Sequence, residues 1–331
     1  MKKYSLVLLV ILIVTGCTPQ AVQVDKNMLY TEAAKTVFVQ MTAASVLTPS
    51  VTPTFTPVPT STITLTPVPS PTPIPPTPTL VSVPAGKVVA PIFLYTRVAG
   101  SRDDDPNYKW NSNVNIPPDA FRTQMQILSA NGYRSMTVSQ LVDAVNKGGQ
   151  IPAHPFVATF DNASISTYTQ AYKIMKEFGF VGTVYTVVGQ IDGGAAMMST
   201  DQMKEMVAAG WEFGSKGMTG IDLTKNHEAA GYEVATSRSE LSTKLGVEVK
   251  TFSYPFGAID DVINGSRISQ WGYQSAAGLG NSSEINSGNL FFLPRYVIQK
   301  DMKYTDFASF LPAPATWIPT EIPAPTATPA K

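Results

Sequence analysis

One stretch, residues 156–188, limits what this chain can fold into more than any other: FVATFDNASISTYTQAYKIMKEFGFVGTVYTVV. Residues 156–160 are a short apolar run of the kind that forms a strand buried on both faces. Asp161, Asn162 and Ser164 follow as turn and cap residues, able to accept hydrogen bonds from the first free N–H groups of a helix. Ile165, Tyr168, Tyr172, Ile174, Met175 and Phe178 then recur at helical spacing, and Gly179 supplies the stop. Residues 183–188 are β-branched and aromatic, which makes them the next strand. Strand, helix and strand in that order form a βαβ unit, so the sheet is parallel or closes into a barrel. Asp161 then falls at the carboxyl end of a strand, where such folds place their ligands.

The flanks have a different character. Lys2 and Lys3 precede the apolar run 5–14, which ends in Val14-Thr15-Gly16-Cys17 and resembles a bacterial lipoprotein signal. That resemblance implies a lipidated Cys17 holding the protein on the outer face of the bacterial cytoplasmic membrane. The rival reading, a membrane-spanning anchor, is short: about 10 apolar residues against the roughly 20 that a bilayer needs. Residues 18–47 form a helical spacer, with Leu29, Ala33, Val37 and Met41 at amphipathic spacing, or alternatively a weak self-association helix. Residues 48–84 are rich in Pro, Thr and Ser, and proline fixes φ and removes donors, so this linker favours extended polyproline II. At ~3.1 Å per residue it spans on the order of 100 Å, enough to hold a domain clear of the membrane. Residues 312–331 repeat the composition and read as a second disordered tail.

The total of 27 prolines and 15% charged residues fits a chain with only one globular part, residues 85–311. Net charge is zero, which argues against nucleic acid as a partner. The single cysteine excludes an intramolecular disulfide and any thiolate metal cluster, and only His154 and His227 are available for proton transfer or metal binding. Within the globular part, strands are expected at 88–95, 211–214, 249–254 and 273–277, and helices at 119–131, 138–145, 199–209, 237–244 and 259–270.

In this order the motifs resemble those of the polysaccharide deacetylases, carbohydrate N-deacetylases with a distorted (β/α) barrel. PIFLYTRV at 91–98 is similar to the family's opening segment, and VATFDNASISTY at 157–168 to its TFDDG motif. Residues 198–224 resemble the approach to its H-[ST]-x-x-H motif, FSYPFG at 252–257 its proline-aromatic motif, and FFLPRYVI at 291–298 its closing LPR segment. The resemblance implies a base at Asp161 and a divalent metal such as zinc held by the next residue and two histidines. This sequence puts Asn162, Lys216 and Gly220 at those three positions, Thr96 at the opening histidine, and Ala163 at the motif's glycine. Asn162 offers a neutral amide oxygen, Lys216 an ammonium without a lone pair, and Gly220 no side chain, so no bound metal is expected.

Each candidate residue carries two readings. Asp161 is the family's base or a helix cap and ion-pair partner. Lys216 replaces the metal's positive charge and pairs with Asp161, or it reaches out to solvent. Tyr254 and Phe256, at a strand end, are glycan-stacking candidates or core aromatics. Arg295 contacts glycan or braces a carboxylate or the backbone. His154 is expected at the far end of the barrel, His227 in solvent, and the run Asp103-Asp104-Asp105 in an exposed loop. These readings imply a membrane-tethered module that binds envelope or extracellular glycan, or an envelope protein, without catalysis. The alternative is an active N-deacetylase with a variant site.

Overall fold

Seven short strands line up along one path: β1 (Ile92–Tyr95), β2 (Pro155–Asp161), β3 (Thr183–Thr186), β4 (Glu212–Ser215), β5 (Thr251–Ser253), β6 (Ser275–Ala277) and β7 (Tyr296–Val297). The computed structural model describes residues 79–320. Spatial order is β6-β5-β4-β3-β2-β1-β7, every pair is parallel, and Arg134–Ser135 adds a short strand beside the start of β2. The two edges meet through one segment. Leu293 N–H donates to the Ala276 carbonyl and the Leu293 carbonyl accepts from Gly278 N–H, while three residues on Tyr296 pairs with Phe93. The sheet is thereby curled into the expected distorted (β/α) barrel.

Helices α1 (Pro118–Ala130), α2 (Val138–Lys147), α3 (Lys173–Glu177), α4 (Thr200–Ala208), α5 (Ser237–Leu245) and α6 (Gly265–Gln270) connect the strands. Thr137 with Gln140, and Ser199 with Gln202, form capping boxes that fix where α2 and α4 begin. Successive strand residues point to opposite faces, and the two faces enter different clusters. Phe93, Phe156, Phe160, Phe213 and Phe252 pack outward under the helices, whereas Ile92, Val157 and Tyr185 point inward. Val138, Leu141, Val142 and Val145 of α2 join the inward cluster and seal the barrel's base. Burial on both faces is why these strands read as unbroken apolar runs.

Several expectations are corrected. The strand expected at 88–95 breaks at Pro91: Lys87–Val89 pairs antiparallel with Glu284–Asn286, and only Ile92–Tyr95 enters the barrel. The helix expected at 259–270 shrinks to α6, because Asp260 Oδ1 accepts from Val262 and Ile263 N–H and holds that part as a turn. The helix after Ser164 opens with a wide π-turn, Thr167–Tyr172, before α3. The linker's last residues are structured, since Leu80–Val83 pairs antiparallel with Gly149–Pro152. The start of the tail is docked too: Asn131 Oδ1 accepts from Thr316 and Trp317 N–H, and Tyr133 Oη accepts from Ala313 N–H. Cys17, the helical pattern of the spacer and the linker up to residue 78 lie outside the described residues.

The acidic run is only partly the exposed loop expected: Asp103 is exposed, Asp104 is half-buried and Asp105 turns inward. Asp105 is fully buried, where it accepts from Arg97 Nε at 2.8 Å, from Asn107 N–H at 2.8 Å, from Ser166 Oγ at 3.0 Å and from Ser164 Oγ. Asp104 receives Gly100 and Ser101 N–H and the Gln170 amide. The pair ties the segment after β1 to the turn after β2. Asp105→Ala is therefore expected to lower unfolding free energy by about 3–5 kcal/mol, as for a broken buried ion pair, measured by urea denaturation. A change within about 0.5 kcal/mol, typical of a surface site, would refute this role.

Candidate functional site

The site stands where the central strands end. Asp161 is the last residue of β2, Lys216 directly follows β4, Ser253 ends β5, and Arg295 precedes β7. The turn after Asp161 needs an uncommon backbone: Asn162 and Ala163 have φ of 73° and 51°, left-handed values that side-chain-bearing residues seldom adopt. Asn162 N–H donates to the Tyr185 carbonyl at 2.8 Å and Met198 N–H to the Ala163 carbonyl, which locks the turn. Consecutive strained residues beside a buried carboxylate mark this as the fold's functional end.

Asp161 is only 4% exposed and is held by two cations. Arg295 Nη1 donates to Oδ1 at 2.8 Å, and Lys216 Nζ donates to Oδ2 at 2.8 Å. Arg295 runs up the barrel interior, 1% exposed, with Nε on the Gly278 carbonyl and Nη2 on Ser253 Oγ, both at 2.9 Å. The Tyr185 ring lies against it, 5.4 Å from guanidinium carbon to ring centre. Burial alone would raise the Asp161 pKa, but Arg295 and Lys216 overcome it and bring the carboxyl down to about 2. Burial pushes the Tyr185 hydroxyl far above its ordinary range, so it stays protonated.

Lys216 decides what the centre can do. Its ammonium also donates to Asn162 Oδ1 at 3.0 Å, so it bridges the two side chains at the expected base and metal-aspartate positions. The pairing of Lys216 with Asp161 is thus present, and the lysine does not reach out to solvent: its side chain is 12% exposed. Gly220 has φ of +72°, and a Cβ added there would lie 3.0 Å from Val187 Cγ2, so its backbone also disfavours a larger ligand residue. Glu233, 1% exposed, fills the neighbouring turn by accepting from Thr219 N–H at 2.9 Å and Thr219 Oγ1 at 2.6 Å. A divalent metal needs several lone-pair donors around it, and here a cation already stands between Asp161 Oδ2 and Asn162 Oδ1, while the positions of the two histidines offer no lone pair. The residues present do not fit the metal.

The remaining candidates scatter. Tyr254 is buried, its hydroxyl donating to the Phe291 carbonyl at 2.9 Å, and Arg295 is enclosed; neither can reach a glycan in this arrangement. Phe256 is 71% exposed, with φ of 59°, and stands on the rim. His154 lies at the barrel's base, its ring centre 5.4 Å from that of Tyr133. His227 pairs with Asp260 at 2.7 Å, linking two rim loops, a contact sequence reasoning missed. Thr96 sits half-buried after β1. Ser253 and Asp105 were also missed; Ser253, at the end of a strand, carried a positional signal, while Asp105 carried none beyond its neighbours.

Residues 149–276 match the family model for polysaccharide deacetylase. This chain carries a polysaccharide deacetylase domain. The Bacillus subtilis protein YxkH, named for that family, is 20% identical over 201 residues, covering 60% of this chain and 71% of the relative. The poly-beta-1,6-N-acetyl-D-glucosamine N-deacetylase of Staphylococcus aureus is 22% identical over 204 residues, covering 57% of this chain and 69% of its own. Among solved structures, the deacetylase PplD of Streptococcus pyogenes, in complex with acetate, superposes with a TM-score of 0.59 at 23% identity, covering 71% of this chain and 99% of that one. IcaB from Ammonifex degensii gives 0.56 at 20% identity, over 68% and 97% of the two chains. At such identities these structures establish the shared fold.

The ion-pair cluster has a pH signature. The folded pKa of Asp161 lies below the unfolded value, so its stabilisation is complete above about pH 4 and is lost as pH falls toward 2. The loss from this group is roughly 2 kcal/mol. Lys216→Met removes one of the two cations and is expected to lower stability at neutral pH by about 1–3 kcal/mol. It should also flatten the acid-induced loss, since the carboxyl pKa rises. Urea unfolding at pH 6 and pH 3 measures both; identical pH dependence in wild type and variant would show that Lys216 does not hold the charge.

Proposed function

We propose that the domain is a non-catalytic member of its family, which binds N-acetylated envelope glycan without hydrolysing it. The observation that carries this reading is the Lys216 ammonium lodged between Asp161 and Asn162. A base paired to two cations and held near pKa 2 is a poor proton acceptor at neutral pH, and an ammonium offers no site to activate water. The fold retains what surrounds such a site, including the exposed Phe256 on its rim. The glycan class is taken from the relatives, one of which is named for poly-β-1,6-N-acetylglucosamine. The enclosed state of Asp161, Arg295 and Lys216 favours a second reading, a scaffold whose partner is an envelope protein.

In this reading Cys17 is lipidated and anchors the chain on the outer face of the cytoplasmic membrane, and the Pro/Thr-rich linker supplies reach. Cys17→Ala is then expected to move the protein from the membrane fraction into the medium or the soluble envelope fraction. Continued sedimentation with membranes would remove the anchor from the proposal.

Catalysis is tested directly. The full-length protein is incubated with β-1,6-linked N-acetylglucosamine oligomers and zinc or cobalt, and free acetate is assayed. No release above the protein-free control is expected, whereas calorimetry should show the oligomer binding. Acetate release abolished by a chelator would replace this proposal with the alternative, an active N-deacetylase with a variant site.

A further inference from the structure

Away from the enclosed centre, the surface beside α6 is open and built from two kinds of group. A cavity of about 540 Å³ has Phe291, Phe292 and Ile259 as its apolar walls and Asn264, Ser266 and Ser269 as its polar ones. A second, of about 360 Å³, shares Asn264 and Ser266 with it and continues past Arg267 and Gln270. Together they form one groove that runs along α6. Its near end lies three residues along the chain from Phe256; exposed Val262 lines the second cavity, and exposed Leu279 packs against Gly257.

The walls are fixed in place. Phe291 is held by the hydrogen bond from Tyr254 to its carbonyl, and its Cβ lies 2.4 Å from where a Cβ on Gly265 would be, so the ring packs directly on that backbone. Asn264 is oriented twice, accepting from Arg267 N–H and donating to the Asp261 carbonyl. The hydroxyls of Ser266 and Ser269 make no hydrogen bond among the described residues, and both residues are exposed. The first cavity has no ionisable wall residue, and the second has one of each sign, Asp261 and Arg267.

We infer that this groove is the surface on which the domain holds an extended, uncharged glycan, an inference that rests on the glycan-binding reading and says where the chain lies. Aromatic faces suit the apolar C–H faces of pyranose rings, and free hydroxyls and an oriented amide suit their hydroxyls and acetamido groups. The absence of net charge in the walls matches a neutral polymer and gives no attraction to an acidic or basic one. The groove's length, two cavities in a row, matches a polymer over a monosaccharide. A peptide adding to a sheet edge is disfavoured here, because β6 already pairs with Leu293. The arrangement also accounts for a domain that keeps an exposed Phe256 on its rim while Lys216 closes its centre.

Calorimetry on the full-length protein tests this with N-acetylglucosamine dimer and hexamer, using Ser266→Trp to plug the groove and Ser239→Trp, on the exposed face of α5, as the control. Thermal unfolding checks that each variant folds. The hexamer is expected to bind wild type and Ser239→Trp at least about tenfold more tightly than the dimer does, and Ser266→Trp to lose that advantage. Unchanged hexamer affinity in Ser266→Trp would overturn the groove and leave glycan binding standing elsewhere on the domain. Binding of neither oligomer to wild type would overturn the glycan reading and the groove with it.

Discussion

The carboxylate of Asp161 sets the terms for everything around it. A charge buried to this degree must be compensated, and it receives Arg295 from inside the barrel and Lys216 from its mouth, each at 2.8 Å. Three strand ends and the start of a fourth strand are joined by this arrangement: Asp161 ends β2, Lys216 follows β4, Ser253 ends β5 and Arg295 leads into β7. Removing either cation leaves a partly compensated charge in a closed space. The cluster therefore stabilises the barrel's top by the same interactions that deprive Asp161 of basicity, so structure and chemistry at this point are opposed.

Family and fold were legible because they rest on strong local signals. Continuous apolar runs, capping residues and glycine stops placed the βαβ units, and burial on both faces of the sheet explains why the strands show no alternation. The pairing of Lys216 with Asp161 was also legible, since a cation facing a retained carboxylate has few other ways to be buried. What failed was long-range or geometric. Tyr254 sits in a proline-aromatic motif at a strand end, yet its hydroxyl turns to the Phe291 carbonyl, a partner 37 residues away that no local pattern announces. Asp105 looked like part of an exposed acidic loop, because nothing nearby in sequence shows that Arg97, Ser164 and Ser166 converge on it. The segment after Leu80 reads as linker by composition, and only its pairing with Gly149–Pro152 makes it a strand.

Two ends of the barrel have diverged in character. At the base, α2 seals the interior, and both flanks are tied down: Ala153 N–H donates to the Thr79 carbonyl at 2.9 Å, and the tail is held by Asn131 and Tyr133. The strands start at this end, as the pairing of Arg134–Ser135 with the first residues of β2 shows. Asp161 and the rim loops lie where the strands end. Thr79 and the tail around Trp317 thus lie on the side opposite the mouth.

In the proposed reading, that separation is what allows a domain of this family to bind without catalysing. A catalytic site requires groups held to within a fraction of an ångström, and one ammonium between Asp161 and Asn162 is enough to disrupt it. A binding groove tolerates more, because its contacts are distributed over apolar walls and hydroxyls that act nearly independently. The Phe291 and Phe292 walls depend on Tyr254 and on the backbone at Gly265 and do not depend on Asp161, so loss of the one leaves the other intact. The charged cluster has a task of its own: the Arg295–Asp161–Lys216 contacts tie the end of β2 to β4 and to the start of β7, and so help to fix the shape of the rim.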